Sequence, residues 1–169
     1  DASLVVTGPP GAHNPGNRDY LTELQDLRAS LNLTSSVHFL AEHIPAGLTD
    51  GEVAGWFRVA DALLLCSREE GFGIPILEAA LTRLPIFCTN LPSLRSLAGK
   101  SAHFFAPDDD PGMVAGMIAG HLEADPLFRR RADVLSRFSW QAIYEQQLLP
   151  LLKEVIWPHA SRDRDRVFP

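Results

Sequence analysis

Residues 62–88 read ALLLCSREEGFGIPILEAALTRLPIFC. A short apolar run, Ala62–Cys66, gives way to a polar loop with two glycines. A second segment then opens at Pro75, and a second apolar run follows at Pro85–Cys88. Proline suits the first position of a helix, where its missing N–H costs nothing. The spacing predicts a helix there, with Ile74, Leu77, Leu81 and Leu84 as its apolar face. Strand, loop, helix and strand in that order make a βαβ unit, which implies parallel pairing.

The same alternation extends outward in both directions. Leu4–Val6, Val37–Leu40 and Ala102–Phe105 are further apolar runs. All five are continuously apolar rather than alternating, as in strands covered on both faces. Between them lie amphipathic stretches. Tyr20, Leu24, Leu27 and Leu31 recur at helical spacing, and Thr49-Asp50-Gly51-Glu52 reads as a capping box ahead of Val53, Trp56, Phe57 and Ala60. A short helix is predicted over Ser93–Ala98. The pattern predicts an α/β fold with a Rossmann-like parallel sheet and helices on both faces.

After the fifth run only helical patterns remain. Pro111–Glu123 is one, with Met113, Met117 and Ile118 expected inward. Asp125-Pro126 opens a second through about Arg137, and Ser139 can cap a third. Trp140, Ile143, Tyr144, Leu148, Leu152 and Val155 form the stripe of that third helix, and Pro150 should kink or break it. One domain over 1–158 is expected, with a disordered, charged tail at 159–169.

Composition narrows the function classes. The chain has 169 residues, 46% of them hydrophobic and 21% charged, with a formal net charge of −6. That charge argues against a general nucleic-acid or anionic-membrane binder, which needs a basic face. No apolar run approaches the length of a membrane span, and no signal-peptide pattern is present. Cys66 and Cys88, at the ends of apolar runs, read as two buried thiols in a reduced, cytoplasmic setting. His13 and His43 are scattered, and no spacing suggests a metal site. The loop Gly8–Asn17 lacks the pattern of a phosphate loop, and Pro9 and Pro10 cannot donate backbone hydrogen bonds.

Chemistry is expected at the loop after the third run, Ser67–Ala79, because ligands collect at the carboxyl ends of parallel strands. Its glycines let backbone approach a ligand. The helix behind it offers free N–H groups and a positive dipole end, which together favour an anion. Glu70 and Glu78 could accept hydrogen bonds from sugar hydroxyls on either side of that anion. A nucleotide sugar has this layout, with hydroxyls at both ends and phosphates between. The plainer alternative is a solvated loop acid and a helix acid favoured by the dipole. Arg129, Arg130 and Arg131 read as a solvated helix face.

The stretch EEGFGIPILEAALTRLPIF, 69–87, resembles the E-x7-E segment of retaining GT-B glycosyltransferases, family 4 (group 1) in particular. LVVTGPPG, VHFL, VADALLLCSREEGFG and PDDDPGMVAGMIAGHL extend the likeness over nearly the whole chain. The resemblance implies that this is the C-terminal, donor-binding half of such an enzyme. It implies that Glu70, the residue to test as catalytic, contacts the transferred sugar and that Glu78 holds the donor ribose. Backbone at Gly71, Phe72 and Gly73 would hold sugar or phosphate, with Ser67 and Ile74 beside them and Leu40 near the base. No cofactor and no metal are implied beyond the nucleotide-sugar donor.

Three departures qualify the likeness. The family's earlier strand and loop, with an Arg and a Lys that clamp the pyrophosphate, are expected before this chain begins. So is the N-terminal acceptor domain, through which a peripheral membrane acceptor could be reached. Family members often carry a Glu near position 96, after the P-x-x-R that is here Pro92–Arg95, and this chain has Ser96. The fragment alone is therefore expected to bind donor weakly and not to turn over. Two other functions fit the same residues: a GT-B sugar-nucleotide epimerase, and a non-catalytic nucleotide-sugar-binding relic.

Overall fold

The computed structural model describes residues 2–8 and 16–156, the side chains of 16–18 and 156 excepted. Most of the Gly8–Asn17 loop and the tail thus lie outside the described residues. The chain divides into two compact units, 1–104 and 105–169.

All five apolar runs form strands: β1 Leu4–Val6, β2 Val37–Phe39, β3 Leu63–Leu65, β4 Ile86–Thr89 and β5 Ala102–Phe105. The α/β class expected from the sequence is the one observed. The strands make two sheets rather than one, β1-β2 and β3-β4-β5. β1 and β2 run parallel with Leu4 opposite Val37, and β3 and β4 run parallel with Leu63 opposite Ile86. Burial follows position in the sheet. Central β4 is buried at every residue, whereas edge strand β3, three leucines, is only half-buried.

In the first unit the helices are α1 Gly16–Ser30, α2 Asp50–Val59, α3 Ile74–Thr82 and α4 Pro92–Ala98. The capping box is present as read: the Thr49 hydroxyl accepts from Glu52 N at 3.4 Å, and the Glu52 carboxylate accepts from Thr49 N at 2.8 Å. The core gathers Ile76, Ala79, Ile86, Cys88, Leu94 and Ala98, with Phe57, Leu63, Leu65 and Phe104 among the residues packed on it.

Several helix faces differ from expectation; of the stripe expected after Ser139, Trp140, Tyr144, Leu148, Leu152 and Val155 are all exposed. α3 turns Ile76 and Ala79 inward, while Ile74, Leu77 and Leu81 are exposed, Leu81 at 86%. The helix is apolar almost all round, so spacing alone could not choose a face. Ala79 is small enough to bring the helix backbone close to the sheet. α1 likewise turns Leu21, Leu24, Gln25 and Arg28 inward and leaves Tyr20 and Leu27 exposed. Gln25 and Arg28 share that face with Leu21 and Leu24 because both bond Glu42. The thiols also differ: Cys88 is buried but Cys66 is exposed, and both are free. Desolvation pushes both thiols upward in pKa.

The second unit is helical: α5 Pro111–Ala124, α6 Pro126–Phe138, α7 Trp140–Ile143 and α8 Leu149–Ile156. Asp110, Asp125 and Ser139 cap the first three, accepting from Met113, Leu127 and Ala142 N at 3.0, 2.8 and 3.1 Å. Met117 and Ile118 are half-buried, but Met113, one turn from the cap, is exposed. Between α7 and α8 a π-helical turn, Tyr144–Leu148, appears where Pro150 was expected to disturb the helix. Proline has no N–H to give the carbonyl four residues back, and a wider turn absorbs the mismatch. Arg129, Arg130 and Arg131 are exposed, as the solvated-face reading expects. Among the described residues no helix is long and apolar enough to cross a membrane.

Candidate functional site

β3 ends at Leu65, and the chain leaves the carboxyl end of the sheet through Cys66–Gly73 before entering α3. The turn into the helix is made at Gly73, whose φ of 89° and ψ of 44° lie in the left-handed region. A side chain there is excluded twice. The backbone conformation disfavours it, and an added Cβ would sit 2.7 Å from Leu94 Cδ2. Gly71 is different: a Cβ there would meet nothing within 4 Å. Its glycine leaves open the approach to the loop's outer side.

Glu70 folds back over this turn. Its Oε1 accepts from Gly73 N at 3.1 Å and, at the long end of the range, from Phe72 N at 3.4 Å. Its Oε2 accepts from the Ser67 hydroxyl at 3.4 Å. The structure therefore brings Ser67, Glu70, Phe72 and Gly73 onto one carboxylate. Two backbone N–H groups at the start of a helix converge on one oxygen, the arrangement that receives phosphate and other anions.

Two hydroxyls that the sequence analysis did not single out hold the loop from below. Thr89, at the end of β4 and only 1% exposed, donates from Oγ1 to Ser67 O at 2.6 Å. Ser93, in the first turn of α4, donates from Oγ to Glu70 O at 2.8 Å. Next to them Arg95 Nε donates to Asn90 Oδ1 at 2.8 Å, with its guanidinium 4.8 Å from the centre of the Phe104 ring. Thr89 could have been noticed as the polar residue closing an apolar run. Nothing in the sequence pairs Ser93 with a loop 23 residues earlier.

The other expected residues lie around this centre. Phe72 and Ile74 are exposed, at 60% and 59%. Glu78 is half-buried on α3, beyond its first turn, and its carboxylate takes no hydrogen bond among the described residues. Leu40 follows β2, on the other sheet. It opens a 3-10 turn and its carbonyl accepts from His43 and Ile44 N, at 3.0 and 2.8 Å. Among the described residues no group of three or more His, Cys, Asp and Glu stands together as a metal site.

Comparison with known proteins bears on what such a loop does. Residues 1–123 match the family model described as Glycosyl transferases group 1. The chain is 27% identical over 157 residues to the serotype-specific mannosyltransferase WbdA of Escherichia coli, covering 93% of this chain and 16% of that protein. It is 32% identical over 124 residues to the O-antigen chain mannosyltransferase RfbU of Salmonella typhimurium, covering 73% and 31%. It is similar in fold to the crystal structure of the C-terminal domain of a glycosyl transferase group 1 family protein, LpcC, from Francisella tularensis. There the TM-score is 0.54 at 21% identity, over 69% of this chain and 57% of that one. At that identity the likeness speaks for the fold alone. The chain spans less than a third of the length of these curated relatives.

Proposed function

This chain belongs to the group 1 glycosyl transferases, and from that premise we propose that it is the nucleotide-sugar-binding part of a retaining, family-4 enzyme. The observation that supports this most is the convergence of Phe72 and Gly73 N–H on one Glu70 oxygen. A loop able to hold a carboxylate oxygen in this way can hold a donor oxygen in exchange for it.

On this reading the donor's sugar displaces the Glu70 side chain from its own turn. The freed carboxylate then accepts from the sugar hydroxyls, and Glu78 accepts from the ribose. The Phe72 and Gly73 amides and the start of α3 face the diphosphate or the oxygens next to it. Their preorganised dipoles stabilise the charge that grows on the departing diphosphate, with basic groups from the rest of the parent protein adding to it. Glu70 positions the sugar and is not assigned a nucleophilic role. Ser67 and Ile74 border the sugar, and Leu40 lies toward the base. No metal or cofactor is assigned a role. The acceptor-binding part belongs to the remainder of the parent, a cytoplasmic protein in this reading, which can reach a membrane-borne acceptor. The relatives' names make mannose the first sugar to test.

The test is calorimetric titration of the full-length protein with GDP-mannose, UDP-glucose and ADP-glucose. One of them is expected to bind saturably, and Glu78→Ala to weaken that binding by at least about tenfold, the loss of a charge-assisted hydrogen-bond pair. No binding to any of the three would sink the donor-site reading.

A further inference from the structure

The donor loop carries no hydrophobic anchor of its own over its first half. Cys66, Arg68, Glu69, Gly71 and Phe72 are exposed, and Ser67 and Glu70 are half-buried. A loop so placed would wander unless its backbone were tied down. It is tied at two carbonyls, Ser67 O by Thr89 and Glu70 O by Ser93, and it is pressed at Gly73 against Leu94. All three contacts come from one continuous stretch, 89–94, that runs from the end of β4 into α4.

We propose that Thr89 and Ser93 are positioning residues for donor binding, an inference that rests on the reading of this loop as the donor site. Neither touches the donor. Each fixes one end of the Ser67–Glu70 segment, so the Glu70 side chain starts from a single backbone position and the Phe72 and Gly73 amides point to one place. Thr89 suits the task because it is buried in strand β4, whose neighbours Ile86, Phe87 and Cys88 are fully enclosed. Its hydroxyl has no water to turn to, so the bond to Ser67 O is held firmly. Ser93 lies in the first turn of α4, near the helix's backbone start, and its hydroxyl reaches the loop instead of capping its own helix.

The experiment uses the full-length protein and whichever of GDP-mannose, UDP-glucose and ADP-glucose titrates the wild type. Thr89→Val and Ser93→Ala are compared with the conservative Thr89→Ser and Ser93→Thr, reading Kd by calorimetry and Tm by calorimetric melting. Loss of either hydroxyl is expected to raise Kd about fivefold to tenfold, with the conservative variants restoring it. Amide hydrogen exchange over 67–73 should quicken in the same two variants and in no other part of the sheet. Should Thr89→Val fail to fold, Ser93→Ala at its half-buried site carries the test alone. Unchanged Kd in Ser93→Ala, with Glu78→Ala still weakened, would overturn the positioning role and leave the donor site standing. A wild type that binds none of the three sugars overturns both.

Discussion

The two sheets of the first unit are held together by opposite means. Around β4 the packing is dry. Ile86 and Cys88 face the cluster of Ile76, Ala79, Leu94 and Ala98, while on the other face Phe87 stacks 4.9 Å from the His103 ring. Around β2 it is largely polar. Arg28 of α1 reaches Glu42 with two hydrogen bonds, at 2.6 and 3.0 Å, and donates to Val37 O at 3.2 Å. Its guanidinium lies 5.1 Å from the Phe39 ring centre, and Gln25 adds a bond to Glu42 at 2.8 Å. The loop Cys66–Gly73 grows from the dry sheet. The apolar cluster holds no charged pair to be screened or titrated, whereas the clasp at β2 does, and it answers to both salt and pH.

The sharpest way to break this contrast is to hollow out one side. Phe87→Ala is expected to cost about 3–5 kcal/mol in chemical denaturation, the cost of emptying a closed aromatic site. Leu27→Ala, on the exposed face of α1, should stay within about 0.5 kcal/mol. Equal losses would mean that Phe87 does not fill a closed apolar site.

Gly73→Ala probes the seam between the dry sheet and the loop. The left-handed backbone and the clash with Leu94 should together cost about 1–3 kcal/mol. A smaller loss, near the level of a surface change, would show that the loop can give way.

The smallest effect concerns the polar clasp. The guanidinium of Arg28 holds the Glu42 carboxyl below its usual range, Gln25 adds to this, and partial burial opposes it. A carboxyl lowered in the folded state stabilises the fold above its unfolded pKa, about 4.3, and loses that stabilisation as pH falls through the folded value. Denaturation measured from neutral pH down through this range should therefore show stability falling in the wild type. Glu42→Gln should flatten that fall, and salt should shrink it. A slope identical in wild type and variant would remove Arg28–Glu42 from the account.

The sequence revealed most where the code is local. Every strand run, the Thr49 capping box, the prolines at helix starts and the disturbance before Pro150 depend on neighbours a few residues away, and all are found. The place of the loop between β3 and α3 was also legible, because glycine favours the left-handed turn that Gly73 makes into the helix. What escaped was the choice among equals. Ile74-Leu77-Leu81 and Ile76-Ala79 are both helically spaced, and it is Ile76 and Ala79 that join the core cluster with Ile86 and Cys88. Arg28–Glu42 and Ser93–Glu70 join residues 14 and 23 apart, so no period or motif announces them. The division into two sheets is of the same kind, since pairing partners are chosen by the whole fold.

The measurement closest to the central claim is the amide signal of Gly73, followed by NMR in the full-length protein while the nucleotide sugar is titrated in. Donor oxygens that take the place of the Glu70 carboxylate must change the hydrogen bond of that N–H. A saturable shift of Gly73 and Phe72 is expected, with the same Kd as calorimetry and weakened in Glu78→Ala. Saturable binding that leaves both amides unmoved would contradict it.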